Sequence, residues 1–270
     1  MQNPDGHYSG SVPELYDRYR GPVFFEPYGR ELAGRLQYIA QGSVLEIAAG
    51  TGIVTRVLAQ LLPNEVTIVA SDVSSAMLDF AALQGGVERV VWRQADAQAL
   101  PFPDGAFEAV LCQFGVMFFQ DRVAGYRETF RVLKSTGRFV FNVWDRIEQN
   151  EFCCVVNDAV ARLFPEDPPG LMARTPYGYY DTGVITQELG AAGFVNVSIE
   201  TIERQSHAPS ARELAIGFCQ GSPLRSEIEA RDATRIEEAT NAATQALVAH
   251  FGPGPIVGKM RAHFITADKE

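Results

Sequence analysis

The stretch V-L-E-I-A-A-G-T-G-I-V-T, from Val44 to Thr55, decides how this chain folds. A short apolar run carries an acid, Glu46, and a run of small residues from Ala48 to Gly52 precedes a helix-like pattern. Small residues let a ligand approach the backbone closely, and the N-terminus of a helix offers unpaired N–H groups. This order predicts a strand, a tight turn and a helix that together bind a nucleotide-like cofactor.

The spacing of the glycines argues against a dinucleotide. A G-x-G-x-x-G fingerprint that starts at Gly50 needs glycine at position 55, where the chain has Thr55. Glu46 is expected to point into the loop, where a carboxylate repels phosphate and suits a ligand with an ammonium group. A nicotinamide oxidoreductase is therefore disfavoured, and an ordinary strand-to-helix turn without a ligand is the remaining alternative to a cofactor loop.

The same loop resembles the first motif of the class I S-adenosylmethionine (SAM)-dependent methyltransferases, which reads E/D-x-G-x-G-x-G. Glu46, Gly50 and Gly52 match that motif, and Ala48 stands in the place of its first glycine. The resemblance implies that these four residues and Thr51 bind SAM.

Length and composition narrow the range of partners. The 270 residues suffice for one large domain, or for one domain with a cap. A net charge of -10 disfavours nucleic acid and leaves a small molecule as the expected substrate. No apolar run reaches transmembrane length, the polar N-terminus lacks a signal-peptide pattern, and the four cysteines have no disulfide or zinc spacing. We therefore expect a cytoplasmic protein without membrane insertion or a metal, and leave a homodimer open.

Strand and helix patterns alternate along most of the chain. Apolar runs predict strands, the last of them antiparallel to its neighbour, over 44–47, 66–70, 90–94, 109–113, 139–143, 195–202 and 263–266. Helical spacing marks 12–40, 52–62, 74–83 (with Ser74 as N-cap), 122–133, 183–190 and most of 213–249. Such alternation predicts an α/β fold with helices on both faces of the sheet.

We predict a Rossmann-like, doubly wound and mostly parallel sheet of seven strands, with an N-terminal helical lid and an inserted cap after the fifth strand. The expected segments are a lid over 1–40, a SAM-binding core over 41–145, a cap over 146–182, and the rest of the core sheet with helices over 183–270. The cap is inferred from a break in the pattern and a loop rich in proline, glycine and tyrosine.

Polar side chains and one tryptophan gather where the predicted strands end, at Glu46, Asp72, Asp96, Gln113 and Trp144. Ligands of parallel α/β sheets bind at the carboxyl ends of the strands. This convergence supports a single ligand site at that edge.

Asp72 ends the second strand about twenty residues after Gly52, where a carboxylate can accept hydrogen bonds from both hydroxyls of a ribose. A role for this acid in helix capping is the alternative. The resemblance implies that Asp72 binds the ribose of SAM and that Val73 and Met77 border its adenine, although Met77 also suits a plain core position.

Two further segments extend the resemblance over roughly residues 12–145. The sequence D-A-Q-A-L-P-F-P-D-G-A-F-E, from Asp96 to Glu108, is similar to the family's D-A-x-x-L-P-F-x-D-x-x-F-D, which implies that Asp96 and Ala97 contact the adenine. Glu108 replaces an aspartate that lies away from the ligand. R-V-L-K-S-T-G, from Arg131, looks like the family's R-x-L-K-P-G-G turn, and the ubiquinone-biosynthesis type of small-molecule methyltransferase is the most similar subgroup.

The expected activity is in-line transfer of a methyl group from SAM to a small, aromatic or apolar acceptor, on oxygen, carbon or nitrogen, leaving S-adenosylhomocysteine (SAH). A regulatory or partner protein that binds SAM without catalysis is the alternative. His207 is the candidate general base, in a loop after the 195–202 strand. Tyr16 is expected near the methionine part of SAM, and Gln113 near that part or the acceptor. The candidate acceptor pocket comprises Phe114, Met117, Trp144, Tyr177, Tyr179 and Tyr180.

Overall fold

The computed structural model describes residues 10–270, so predictions for the first nine residues lie outside the described part. Internal contacts divide the chain into two compact units. The sheet unit comprises residues 25–143, 180–201 and 263–270, and the helical unit comprises the described residues up to Phe24, 144–179 and 202–262. The expected division into lid, core, cap and C-terminal segments stays a prediction.

The strands are β1 (Gly42–Ile47), β2 (Val66–Asp72), β3 (Val90–Gln94), β4 (Phe107–Gln113), β5 (Leu133–Trp144), β6 (Val195–Ala208) and β7 (Ile256–Asp268). They form one sheet in the order β3-β2-β1-β4-β5-β7-β6, and β1 to β5 pair in parallel. Thr136 N donates to Lys269 O and Lys269 N donates to Gly137 O, which sets β7 antiparallel to β5. The predicted mostly parallel, seven-stranded sheet is confirmed.

The α-helices are α1 (Val12–Arg20), α2 (Glu26–Gly34), α3 (Ile53–Leu61), α4 (Ser75–Ala82), α5 (Arg122–Val132), α6 (Glu151–Ala161), α7 (Leu171–Arg174), α8 (Thr182–Ala191), α9 (Ala211–Cys219), α10 (Leu224–Asp232) and α11 (Ile236–Phe251). Among residues 10–270, no helix is both long and apolar enough to cross a membrane. The N-cap predicted at Ser74 is confirmed, because its hydroxyl accepts a hydrogen bond from Met77 N.

Several element boundaries differ from the prediction, and three of them have a clear cause. The helix expected over 12–40 ends at Gly34 and is two α-helices joined by a π-helix (Gly21–Phe25), since Pro22 has no N–H to donate and Gly21 is a poor helix former. The strand predicted over 195–202 continues to Ala208, so the prediction that His207 lies in a loop is wrong. The last strand begins at Ile256 rather than at residue 263, because its polar residues alternate with buried ones.

The core of the sheet unit forms where strands are apolar on both faces. Val44, Leu45 and Ile47 of β1 have no exposed surface, as expected for a central strand of a covered parallel sheet. Helix α2 adds Tyr28 and Leu32, which are four residues apart on one face and equally buried. Burial of each such side chain stabilises the fold by about 1.5–3 kcal/mol.

The first part of β5 contains a strained residue. Thr136 has φ +67°, a left-handed conformation that costs a non-glycine residue ~1–2 kcal/mol, and its side chain is exposed. We expect Thr136→Gly to raise the free energy of unfolding by about 1 kcal/mol, since the relieved strain exceeds the extra chain entropy of glycine. Urea unfolding measures the change, with Ser135→Gly as the control that should not stabilise. A destabilised Thr136→Gly variant would contradict the strain argument.

Candidate functional site

The site lies in the sheet unit, where the order of the strands reverses. From β1 the chain proceeds to β2 and β3 on one side, whereas β4 and β5 lie on the other side of β1. Loops that leave the carboxyl ends of β1 and β4 therefore diverge, which is where doubly wound sheets bind ligands. The side chains of Glu46, Asp72 and Gln113 occupy the ends of β1, β2 and β4 at this edge.

The loop after β1 owes its shape to left-handed backbone conformations. The φ angles of Ala48, Gly50 and Gly52 are +53°, +56° and +75°. Ala49 N donates to Ser71 O at 2.9 Å, which fastens the loop to β2, and Gly52 N donates to Ala49 O at 3.0 Å. The chain turns sharply into α3, whose N-terminus has no side-chain cap.

The two glycines of the loop serve different purposes. A Cβ on Gly52 would lie 2.9 Å from Trp92 Cη2 and 3.1 Å from Ala81 Cβ, so Gly52 allows the loop to pack against β3 and α4. A Cβ on Gly50 would meet no heavy atom within 4 Å. Gly50 therefore borders open space, as a residue does where a ligand approaches the backbone.

Gly115 compensates for the alanine that stands in place of the first glycine of the motif. A Cβ on Gly115 would lie 2.5 Å from Ala48 Cβ and 2.7 Å from Cys112 Sγ. Only glycine at position 115 leaves room for the methyl group of Ala48. Nothing in the local sequence around Gly115 indicates this role, since the two residues meet only through the tertiary structure.

Asp72 connects the loop to the end of β2. Its Oδ2 accepts a hydrogen bond from Gly50 N at 2.8 Å, and its Oδ1 accepts one from Ser74 N at 2.9 Å. The carboxylate thus lies beside the open space at Gly50. A carboxylate oxygen can accept more than one hydrogen bond, so these two bonds do not by themselves preclude a hydroxyl group of a ligand.

Glu46 lies beneath the loop and not in it. Its side chain is 1% exposed, and Oε2 accepts a hydrogen bond from Thr55 Oγ1 at 2.6 Å. Burial raises the pKa of Glu46 to about 8; the Thr55 hydroxyl and Arg56 lower it, and Asp72 raises it. Near neutral pH this carboxyl is mostly protonated, so the expectation of a charged acid that points into the loop is corrected to a buried acid.

The raised pKa of Glu46 makes stability depend on pH. Its carboxyl contributes stability that is fully present below pH 4.5, its ordinary pKa, and is lost as the pH rises through 8. The slope of stability against pH approaches about 1.4 kcal/mol per pH unit between these values. We expect Glu46→Gln to flatten that slope and to be more stable than the parent at pH 8. Urea unfolding at pH 5, 6.5 and 8 checks this.

Glu108→Gln is the control for that experiment. Burial alone would raise the pKa of Glu108, but hydrogen bonds from Lys134 and Ser43 N lower it. Its contribution to stability is therefore lost as the pH falls, the opposite trend. A Glu46→Gln variant that keeps the parent's slope would show that Glu46 is ionised at neutral pH.

The residues expected beside adenine lie along the same edge. Val73, which directly follows β2, is 41% exposed. Met77 is 3% exposed and lies on the buried side of α4. Ala95 N donates to Asp72 O at 3.0 Å, so the loop after β3 leaves from beside Asp72. In that loop Asp96 is exposed and Ala97 is buried, which leaves the Asp96 carboxylate accessible to a ligand.

Three further candidate ligand contacts lie at the end of β4 and directly after it. Gln113 Nε2 donates to Phe25 O at 2.9 Å, so its amide nitrogen is used to hold the start of α2. Phe114 has φ +51° and packs against Phe25 and Tyr28 with ring centroids 6.1 and 5.8 Å apart. Met117 is 4% exposed in the short helix that follows. These three residues stay predicted ligand contacts; the observed role of Phe114 and Met117 is core packing, and that of Gln113 is its hydrogen bond to Phe25.

Other predicted site residues lie in the helical unit. Arg20 stacks on the ring of Tyr16 with its guanidinium carbon 5.1 Å from the centroid. The ring centroids of Trp144 and Tyr177 lie 6.0 Å apart, and the Tyr177 hydroxyl is 2.5 Å from Cys153 Sγ. Tyr179 is 5% exposed in the same unit, His207 is exposed in β6, and Tyr180 belongs to the sheet unit. Their roles toward a ligand stay predictions.

Two buried polar groups at this edge of the sheet lack a hydrogen-bond partner among the described residues. The sequence alone did not indicate this. Thr51 Oγ1, in the loop itself, is buried and has no hydrogen-bond partner among the described residues. Asn142 of β5, the register partner of Gln113, accepts a hydrogen bond from Phe114 N at 3.0 Å, but its Nδ2 has no partner within residues 10–270. An unpaired buried group costs about 1–3 kcal/mol, so a ligand or water is expected to satisfy each.

Comparison with known proteins finds similarity to methyltransferases over part of the chain. A model of the methyltransferase domain family matches residues 45–141. The ubiquinone/menaquinone biosynthesis C-methyltransferase UbiE of Marinomonas sp. is 34% identical over 47% of this chain and 52% of its own length. Demethylmenaquinone methyltransferase of Deinococcus radiodurans is 41% identical over 36% of this chain and 41% of its own length. The chain thus spans about half the length of the curated relatives it matches.

Solved structures agree on the fold. A putative methyltransferase from Bacillus halodurans superposes with a TM-score of 0.55 at 19% identity over 88% of this chain and 98% of its own. Phosphoethanolamine N-methyltransferase 2 of Haemonchus contortus, solved in complex with S-adenosyl-L-methionine, gives 0.61 at 16% identity over 97% of this chain and 57% of its own. Residues 45–141 thus match the methyltransferase domain family, and these solved structures share the fold of the chain.

Proposed function

We propose that this protein transfers the methyl group of SAM to a small-molecule acceptor. The observation that supports it best is the open space at Gly50, bordered by the Asp72 carboxylate within the matched domain. A site with free space and a carboxylate at the switch point of the sheet suits an adenosine ligand with polar ends.

The residues at this edge fit SAM. Asp72 accepts hydrogen bonds from the ribose hydroxyls, Val73 and Ala97 border the adenine, and Asp96 accepts from its amino group. The loop from Ala48 to Gly52, which includes Thr51, faces the methionine part through its backbone. Gln113 and Tyr16 are proposed neighbours of the same part, although the amide nitrogen of Gln113 already serves Phe25.

Methyl transfer places modest demands on the protein. SAM supplies a sulfonium-bound methyl group, which moves to the acceptor in line as the S–CH₃ bond breaks and its electron pair stays on sulfur, leaving SAH. The chain's contribution is to hold the two partners in line and to exclude water. A hydroxyl or carbon acceptor also needs a base, for which His207 stays the proposed candidate.

The class of acceptor follows from the relatives only as a proposal. The curated relatives named above act, by their names, in ubiquinone and menaquinone biosynthesis, which favours methylation of carbon on an apolar, aromatic acceptor. They are methyltransferases by name, which favours catalysis over the alternative of a regulatory SAM-binding protein. Four free cysteines favour a reducing compartment such as the cytoplasm, and a homodimer stays open.

Calorimetric titration with SAM and SAH, followed by a methyl-transfer screen, tests the function. We expect both ligands to bind with micromolar affinity and labelled SAM to methylate a quinol or phenol in the screen. Tight SAM binding without transfer to any acceptor would favour the non-catalytic alternative. Absence of binding to either ligand would overturn the proposed function.

A further inference from the structure

The loop between β3 and β4 (residues 95–106, the β3–β4 loop) borders the site but contains little regular structure of its own. It starts beside Asp72, since Ala95 N donates to Asp72 O, and it carries Asp96 and Ala97. Within it, Asp96 Oδ1 accepts from Gln98 N at 2.8 Å, and Asp96 and Ala99 form an isolated bridge. Contacts from outside the loop are therefore needed to hold Asp96 and Ala97 in one position relative to a ligand.

Helix α5 supplies that support through the guanidinium of Arg131. Its Nη2 donates to Leu100 O at 2.8 Å, and its Nη1 donates to Phe102 O at 2.7 Å and to Asp104 Oδ1 at 2.8 Å. One planar side chain thus spans three acceptors over five residues of the loop. A planar fork of donors suits this task, whereas a single ammonium group does not reach all three.

Glu128 completes the arrangement from one turn earlier in α5. Its two carboxylate oxygens accept hydrogen bonds from Arg131 Nε and Nη2 at 2.8 Å, and Oε2 also accepts from Leu100 N at 2.8 Å. The pair therefore holds both backbone groups of Leu100. Gly105 N adds a hydrogen bond to Arg131 O at 3.0 Å, which closes the far end of the loop.

We infer that Arg131 and Glu128 are positioning residues that hold the β3–β4 loop in the geometry that recognises the adenine base. The inference rests on the proposed function, which puts adenine against Asp96 and Ala97. Neither residue touches the ligand; both act through the backbone of Leu100 and Phe102, a few residues after Asp96. Their loss should therefore weaken selection of the base more than it weakens binding of the rest of the ligand.

The test compares two ligands that differ only in the base. SAH and its purine-riboside analogue, which lacks the 6-amino group, are titrated into the full chain. We expect the parent to prefer SAH by at least about tenfold, the value of one good hydrogen bond to a charged acceptor. Arg131→Met should reduce that preference to less than about threefold, and Arg131→Lys, which keeps the charge and the stem, should fall between the two.

Arg89→Met is the matched control. Arg89 also donates to several backbone carbonyls, those of Ala59, Leu62, Pro63 and Val66, but it holds the end of α3 and not the β3–β4 loop. This variant should lower the melting temperature while it keeps the parent's preference for SAH. A purely structural role for Arg131 would give the same result as Arg89→Met.

The outcomes separate the two proposals. Failure of the parent chain to bind SAH would overturn the proposed function and this inference with it. SAH binding by the parent without preference for the 6-amino group, or an undiminished preference in Arg131→Met, would overturn the inference alone. If Arg131→Met does not fold, Arg131→Lys decides, together with faster hydrogen exchange of the amides of Leu100 and Gly105.

Discussion

Alanine at position 50 is expected to weaken SAM and SAH binding strongly while the fold stays intact. The new methyl group would meet no protein atom within 4 Å, and in the proposed mode it stands in the space of the ligand. We expect affinity to fall on the order of 100-fold, equivalent to about 2.7 kcal/mol. Calorimetric titration with SAH measures the affinity, and thermal unfolding measures the stability.

Gly86→Ala is the matched control for the backbone. Gly86 has φ +81° against +56° at Gly50, and a Cβ there also meets nothing within 4 Å. Both substitutions should therefore cost a similar ~1–2 kcal/mol of stability, whereas Gly86→Ala should leave SAH affinity nearly unchanged.

Gly52→Ala provides the contrast within the motif itself. Its Cβ would press on Trp92 and Ala81 and the backbone has φ +75°, so this variant should lose stability as well as binding. A Gly50→Ala variant that binds SAH like the parent would show that the space at Gly50 does not hold the ligand.

Removal of the Asp72 carboxylate is expected to weaken SAH binding as much as Gly50→Ala does. In the proposed mode, Asp72 accepts hydrogen bonds from both ribose hydroxyls, and each bond to a charged group contributes about 1.5–3 kcal/mol. Asp72→Ala should therefore weaken SAH binding on the order of 100-fold or more. Asp72→Asn keeps the shape and one acceptor but loses the charge, and should fall between the parent and Asp72→Ala.

Asp72 also accepts hydrogen bonds from Gly50 N and Ser74 N, so a structural effect must be separated. Asp181→Asn is the matched control, because Asp181 likewise accepts from two backbone groups, Gly183 N and Val184 N, at the start of α8. It should not change SAH affinity.

A ligand variant isolates the ribose contact. The parent should discriminate between SAH and its 2′-deoxy analogue, and Asp72→Asn should discriminate much less. Equal discrimination by both would mean that Asp72 does not bind the ribose.

Much of the fold was predictable because its signals are local. The apolar run before Glu46 and the small residues after it indicate a strand and a turn without any tertiary information. Asp72 follows from the same reasoning, since a buried strand of known length must end near it. Ser74 as an N-cap also depends only on its neighbours, which is why the prediction held.

Element boundaries were less predictable where a neighbour in space decides them. The strand that contains His207 extends beyond its apolar stretch because β6 is paired in the sheet over fourteen residues, and polar residues are tolerated along an edge strand. The helix expected over 12–40 ends early, at Gly34, and is irregular because Gly21 and Pro22 interrupt it.

By itself, the sequence determined the class of fold, the position of the motif loop and the acids at the ends of the strands, because periodicity and turn chemistry act over a few residues. Only the tertiary structure decided that Glu46 is buried against Thr55, that Gly115 makes room for Ala48 and that Arg131 holds Leu100 and Phe102. Each of these depends on atoms far apart in the chain, and packing, not local propensity, brings them together.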